Sequence, residues 1–356
     1  MSDTYKGESL QKKAARFETH RANQEWLDRH YPDCFDRGLH VFLASREGGD
    51  IGVLKQLGAP LRNLVGIDRD LDAIKACAAK WCRGDGSEEP ELVHAEDAGN
   101  QLAWIRNCLE KAKGLPAPND CGDAECWIER WGRESGYPYI TSVFWDFCAH
   151  LDKSTIDMFT DTWRRLSYGS VLSVAVLKGR EKQQSTHRAL QAPLANRKRR
   201  RSWRSIHPPS YSVMAEMMSG AREWDVSGVL EMIEQETGDI NRTGARWLLM
   251  QQALWLVDDK SEPAPILVLE YQSSTTTSHG VPMLICSFAK TRLSLGRRPA
   301  PPPKIVRLNN GDALAWRNQV LQNVDVDAAA DLLNVPRLTA VAWKAHATRG
   351  TYARTG

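Results

Sequence analysis

No stretch of this chain reaches eighteen consecutive apolar residues, the length a helix needs to cross a bilayer. The opening residues, MSDTYKGESLQKKAARF, contain no apolar block of the kind a secretory signal requires. Both absences lead to the expectation of a soluble, cytoplasmic protein. A disulfide framework is lacking as well. Eight cysteines are scattered over 356 residues, which points to reduced thiols. Cys77 and Cys82, and again Cys121 and Cys126, are separated by four residues. Some zinc sites tolerate that spacing, but neither pair has a matching His or Cys pair nearby, and no metal site is expected. Net charge is small, +3, yet unevenly spread: between Lys178 and His207 ten Lys or Arg stand against the single Glu181. A basic block on a mildly acidic body suggests a polyanionic partner rather than general stickiness. At 42% hydrophobic content the chain can bury a substantial core, and one large domain with an appendage is the natural organisation.

The stretch from Leu39 to Asp68 reads as strand, glycine turn, helix, strand. Val41 to Ala44 is a short apolar run fit for a buried strand. Gly48, Gly49 and Gly52 follow, and glycine permits both a tight turn and a close approach of backbone to a ligand. Ile51, Leu54 and Leu57 recur at helical spacing, Gly58 suits the position after the helix, and Pro60 stops any continuation. Leu64 to Ile67 is the next strand, ending in Asp68, twenty positions after Gly48. An acid at that spacing, at the tip of a second strand, can accept both hydroxyls of a ribose, so the pattern suggests an adenosine-containing ligand. The same glycines would also serve a plain strand-to-helix turn.

Taken in order, residues 8–31 form a polar helix with Leu10, Ala14, Phe17, Leu27 and Tyr31 loosely on one face. Asp70 caps a helix whose Leu71, Ile74, Ala78 and Trp81 point inward. Glu91 to Ala95 is a third strand ending in Glu96 and Asp97, and a helix with Leu102, Ile105, Leu109 and Ala112 follows. Residues 114–138 are a surface excursion. Ile140 to Trp145 is a fourth strand ending in Asp146, Phe147 and Cys148. Ser154 with Asp157 makes a capping box for a helix that buries Ile156, Phe159, Trp163 and Leu166. Ser170 to Leu177 is the fifth strand. This alternation demands a parallel sheet with right-handed crossovers. The next 85 residues or so exceed what a crossover needs. Ile266 to Tyr271 and Pro282 to Phe288 then form an antiparallel hairpin. GRRPAPPP, residues 296–303, is a semi-rigid linker. Beyond it, Ala330, Leu333, Asn334, Val335, Thr339 and Trp343 match the spacing of a helix-turn-helix, with a generic helical hairpin as the alternative.

This order of elements resembles the class I, Rossmann-like S-adenosylmethionine-dependent methyltransferases, which use five alternating β/α units closed by an antiparallel hairpin of the sixth and seventh strands. The resemblance covers roughly residues 8–290. It implies an α/β fold: a seven-stranded, mostly parallel Rossmann-like sheet in a domain of residues 1–295, carrying a basic, helical insertion at 178–262 for substrate recognition, with the linker and a small helical region, 304–356, behind it. It also implies S-adenosylmethionine as cofactor. Residue by residue, Gly48, Gly49 and Gly52, with Ser45 beside them, resemble the loop at the methionine part of the cofactor. Asp68, with Arg69, resembles the ribose-binding acid, and Asp97, with Ala98, the acid after strand three that reads the adenine amino group. Asp146, Phe147 and Cys148 sit where the family places its catalytic motif, Asp146 also bordering the cofactor, and His150 is an auxiliary base candidate. There are departures. Strand one ends in Ala44, Ser45 and Arg46 in place of acid-x-Gly, leaving Glu47 or Asp50 to contact the methionine ammonium. The fourth motif reads DFCA rather than [DNS]PP[YFW], which leaves amino methylation of adenine or cytosine open.

The run Arg197, Lys198, Arg199, Arg200, Arg201, Trp203 and Arg204 interleaves one stacking platform with six charges, suited to phosphates and a base. It follows strand five, at the carboxyl edge where open α/β sheets bind ligands. With Arg337 and Lys344 of the C-terminal helices, it makes nucleic acid, DNA or RNA, the expected substrate. Two other readings remain: a non-catalytic methyltransferase-like module that binds nucleic acid or protein, and a nicotinamide-dependent oxidoreductase on the same nucleotide-binding half.

Overall fold

In the computed structural model, residues 8–82, 88–94, 140–178, 230, 242–258, 261–273, 281–292, 303–333 and 335–352 are described. The elements in chain order are α1 (Leu10–His30), α2 (Cys34–Arg37), β1 (Leu39–Leu43), α3 (Gly49–Gln56), β2 (Leu64–Asp68), α4 (Leu71–Trp81), β3 (Glu91–His94), β4 (Ile140–His150), α5 (Lys153–Arg165), β5 (Val171–Leu177), α6 (Arg242–Val257), β6 (Ser261–Ser273), β7 (Val281–Arg292), β8 (Lys304–Arg307), α7 (Asn310–Asn323), α8 (Val326–Leu333) and α9 (Arg337–Tyr352). The strands make one sheet in the order β3-β2-β1-β4-β5-β7-β6-β8. β1 to β5 are mutually parallel, and β7 runs antiparallel to both β5 and β6. The expected hairpin is therefore present. An eighth strand, not expected, pairs parallel to the outer edge of β6.

Successive strand residues face opposite sides, and the two cores follow that alternation. Val41, Val143, Leu172, Val174 and Phe288 point to a core completed by Phe159 and Trp163 of α5 and by Trp247 and Leu254 of α6. Phe42, Phe144, Ala175 and Ile285 point to the other, closed by Leu27 of α1, Phe35 of α2 and Ile51 and Leu54 of α3. Each such side chain, fully buried, contributes about 2–3 kcal/mol before entropy is counted. Ile156, Phe159, Trp163 and Leu166 are all buried, as their spacing implies. In α4 the buried residues are Ala73, Ile74, Cys77 and Trp81, while Leu71 is exposed.

Capping follows local chemistry. Asp70 accepts from the amides of Asp72 and Ala73 and starts α4 as expected. The capping box placed at Ser154 and Asp157 is not the one used. Asp152 caps α5 by accepting from the Thr155 amide, and the Ser154 hydroxyl donates to Asp152. The helix therefore begins two residues earlier than expected, and Ser154 falls inside its first turn rather than at its cap. β4 also runs past Trp145 to His150, with its register against β5 interrupted between Asp146 and His150.

Residues 304–356 begin with a strand in the main sheet, and the helices after it pack on the body. Ala14 of α1, Val53 of α3, Trp316 and Val320 of α7, and Ala329 and Leu332 of α8 share a third core. Most of the linker at 296–303, the helix around Leu102 and residues 114–138 lie outside the described residues. Among the described residues no helix is long and apolar enough to cross a membrane. The described cysteines Cys34, Cys77, Cys82 and Cys286 are free, and burial pushes the Cys77 thiol up to about 12.

His40 stands in the middle of β1, fully buried. Its Nε2 lies 2.7 Å from the Phe35 carbonyl, which can only accept, so Nε2 carries the proton and Nδ1 accepts from the Ser142 hydroxyl at 2.8 Å. Burial holds the imidazole neutral, lowering its pKa from 6.5 to about 4. The unfolded chain thus binds more protons than the folded one between those values. Stability is expected to be complete above pH 6.5 and to be lost as pH falls toward about 4, with a slope of up to about 1.4 kcal/mol per pH unit. Urea unfolding from pH 4 to 7 checks this, and His40→Gln should flatten the slope in that window.

Candidate active site

β1 lies between β2 and β4, and the chain leaves it on one side for β2 and reaches β4 on the other. In an open parallel sheet this reversal opens a crevice outside the carboxyl ends of the strands, where ligands bind. Ser45 follows β1 there, Asp68 ends β2, and Asp146 lies toward the carboxyl end of β4. Ser45 and Asp68 are neighbours in sheet order, since the Ala44 amide donates to the Ile67 carbonyl at 2.8 Å. The Ser45 hydroxyl is buried and has no hydrogen-bond partner among the described residues. Asp68 is half-buried. Burial pushes its carboxyl up, partly offset by hydrogen bonds from the backbone of Asp70 and Arg69. A buried orphan hydroxyl beside a partly desolvated carboxylate suits a hydroxyl-rich, neutral group such as a ribose. Arg69 itself is exposed.

The glycine turn is built differently from its sequence reading. Gly48 is left-handed, at φ 60°, and begins α3. Each of the three glycines faces protein. A Cβ on Gly48 would stand 2.5 Å from Trp81 Nε1, one on Gly52 2.6 Å from the Asp331 carbonyl of α8, and one on Gly49 would meet the Arg16 guanidinium. Gly48 is thus required by both backbone angle and space, and Gly52 by the approach of α8. Asp50 is buried, its carboxylate bound by Arg16 Nε at 3.0 Å and His20 Nε2 at 2.8 Å. Arg16 in turn holds Glu8 through both terminal nitrogens, at 2.5 and 2.6 Å. Burial opposes ionisation of Glu8, but the Arg16 charge and hydrogen bond, with Lys12 and Lys13, hold its carboxyl at about 2. Arg16 is likewise penalised by burial, and Asp50 and Glu8 override the penalty and push its pKa up. Of the two acids named for an ammonium contact, Asp50 is therefore engaged inside the protein. Glu47 is half-buried. Its carboxyl is pushed up by burial and by Glu8 and drawn back by Lys13, Lys80 and Arg16. Its carbonyl accepts from Trp81 Nε1 and Lys80 Nζ, each at 3.3 Å.

Asp146 meets Lys12 of α1, Nζ to Oδ2 at 2.7 Å. Phe147 stacks on Trp145, centroids 6.1 Å apart and planes at 23°, so part of its face is already used. The His150 carbonyl accepts from Thr155 Oγ1 at 3.0 Å. Nothing is described of the Cys148 side chain, and Asp97, Ala98 and the basic run Arg197 to Arg204 lie outside the described residues. On α9, Arg337 pairs with Asp327 at 2.6 Å and Lys344 donates to the Val324 carbonyl at 2.5 Å. Both are bound to the C-terminal helices themselves rather than to the strand-end cluster. The helix-turn-helix expected over Ala330 to Trp343 is not borne out: α8 and α9 succeed one another across a short connection, but α8 is packed into the core shared with α1 and α3, and Asn334, expected as the left-handed residue, lies outside the described residues.

Glu8, Lys12, Arg16 and His20 carry no motif that singles them out in the sequence, although they recur every four positions, which puts them on one helical face. That face is turned to the glycine turn and to Asp146.

Five parallel strands and an antiparallel β6/β7 hairpin in the order β3-β2-β1-β4-β5-β7-β6, with Asp68 at the end of β2 and Asp146 toward the carboxyl end of β4, make up the Rossmann-like fold of the class I methyltransferases. No family model matches the chain, and no curated protein does. Solved structures similar to it include an O-methyltransferase from Bacillus cereus in complex with S-adenosylhomocysteine (10% identity, 81% of this chain and 94% of that one, TM-score 0.34). Two others are an rRNA methylase from Streptococcus thermophilus (10%, 77% and 95%, 0.31) and a putative S-adenosylmethionine-dependent methyltransferase from Listeria monocytogenes (11%, 77% and 100%, 0.31). The fold assignment rests on strand order and direction.

Replacing Arg16 with Met would leave the buried carboxylates of Glu8 and Asp50 without their shared counter-charge. A loss of about 3–5 kcal/mol in unfolding free energy is expected, read as the shift of the urea midpoint at pH 7.

Proposed function

We propose that the chain is an S-adenosylmethionine-dependent methyltransferase acting on nucleic acid. The observation that carries the reading is the pair at the switch point: the orphan Ser45 hydroxyl and the half-buried Asp68 carboxylate at adjacent strand ends, with Asp146 across the crevice. Asp68 would accept from the ribose hydroxyls, and Ser45 would bond the neighbouring part of the ligand. When bound, S-adenosylmethionine supplies an electrophilic methyl group. The protein's own part is to bring an acceptor in line with it and to exclude water. Asp146 would orient or deprotonate an N–H or O–H of that acceptor. Phe147 would stack on a base, and His150 would be an auxiliary base. Support for a nucleic-acid acceptor comes from the sequence: the run Arg197 to Arg204, which follows β5 in the chain, interleaves Trp203 with six basic residues.

A second reading, a non-catalytic module of this fold, is favoured by the packing of Trp81, Arg16 and α8 against Gly48, Gly49 and Gly52, which accounts for those glycines without a ligand.

Calorimetric titration with S-adenosylmethionine separates the two. Micromolar binding is expected for the unaltered chain, weakened about tenfold or more in Asp68→Ala by loss of a charge-assisted contact. Absence of binding would favour the module, and equal binding by the variant would remove Asp68 from the site. Neutralising Arg199, Arg200 and Arg201 should reduce the salt-dependence slope of RNA or DNA binding by up to about three. An unaltered slope would make that run a bystander.

A further inference from the structure

Lys12 is the side chain of α1 that reaches Asp146. The two are 2.7 Å apart and largely enclosed, with 19% and 10% of their side chains exposed, so this is not a solvated surface pair of small effect. Lys12 also lies 3.8 Å from Glu8, and Asp146 acts electrostatically on Arg16. The carboxylate that the proposed reaction needs thus stands within a fixed arrangement of cations supplied by one helix.

The chemistry gives that arrangement a purpose. A sulfonium donor is positively charged before methyl transfer and becomes a neutral thioether as the methyl leaves. An uncompensated carboxylate in the crevice would stabilise the charged ground state more than a transition state in which the charge is disappearing, and such binding does not accelerate the reaction. The acceptor still needs a carboxylate to orient its N–H or O–H. A carboxylate with an adjacent counter-charge meets both needs: it keeps its hydrogen-bonding oxygens while its field at longer range is cancelled.

We propose that Lys12 is a positioning residue for Asp146, holding the carboxylate toward the acceptor and neutralising it toward the sulfonium. This rests on the methyltransferase reading. The test compares the affinities of S-adenosylmethionine and S-adenosylhomocysteine, which differ in the charge on sulfur, by calorimetric titration of the full chain and its variants. Lys12→Met should raise the preference for the charged ligand about three- to tenfold. Asp146→Asn, which removes the carboxylate and leaves the Lys12 ammonium in place, should lower it by a similar factor, and Lys12→Arg should behave as the unaltered chain. A merely structural loosening would weaken both ligands alike and leave the ratio unmoved. An unchanged ratio in the Met and Asn variants, with both ligands binding the unaltered chain, overturns this inference and leaves the methyltransferase reading standing. Binding of neither ligand to the unaltered chain overturns both. Should Lys12→Met not fold, the opposite shift expected of Asp146→Asn decides.

Discussion

Arg16 between Glu8 and Asp50 is the interaction on which the arrangement of this molecule depends. Two carboxylates and a guanidinium are withdrawn from water, and each is tolerable only while the others stay in place. Asp50 belongs to the first turn of α3 and Arg16 to the second turn of α1, so their contact fixes where the long helix crosses the sheet. Once α1 is fixed there, Lys12 is delivered to Asp146, and the space beside Gly49 is filled. The N-terminal end of α3 adds to this, since its unsatisfied amides favour a negative side chain at Asp50. Farther along α1 the same preference for polar contacts continues. Asn23 donates to Ser173 at 2.9 Å, and Ser173 shares a hydrogen bond with Ser287 at 2.7 Å in the middle of the sheet.

That polar interface explains which parts of the fold were legible. β1, β2 and β5 are predominantly apolar, interrupted only by small or buried groups such as His40 and Ser173, because both their faces are buried, and such runs are hard to mistake. The hairpin and the Asp70 cap carry local signals that no tertiary contact overturned. α1 was legible as a helix but not as a buried one. Its inward residues include Gln11, Arg16, Thr19, His20 and Asn23, a set that in isolation describes a solvated face. β8, KIVR, is four residues long and mostly exposed, so it has no periodicity to announce it. Its pairing depends on where β6 lies in space.

At the site, Asp68 could be placed from the end of its strand and Asp146 from the end of the apolar run 140–145, although β4 itself continues to His150. What the glycines face could not. A sequence records that no side chain fits at Gly48 or Gly52, while the neighbour that excludes it, ligand or protein, is decided by the tertiary structure. Here Trp81 and the backbone of α8 are those neighbours. Lys12 shows the complementary limit. It shares the four-residue spacing of Glu8, Arg16 and His20, whereas Lys13, turned about 100° around the helix, donates instead to the Leu333 carbonyl; which of these faces meets the crevice is decided by the seat of α1.

The seat of α1 has a kinetic side. Gln11 donates to Asn310 at 2.7 Å across 299 positions, Lys13 reaches Leu333 across 320, and Phe17 packs on Trp316 with ring centroids 5.7 Å apart. Contacts of such sequence separation form late, because loop closure must precede them. During synthesis α1 lacks these partners until α7 and α8 have cleared the ribosome. The approach of the Asp331 carbonyl to Gly52 therefore comes only after α8 has been made, later than the strands of the crevice and the Arg16–Asp50 contact, so the glycine turn acquires its last neighbour after its backbone partners are in place.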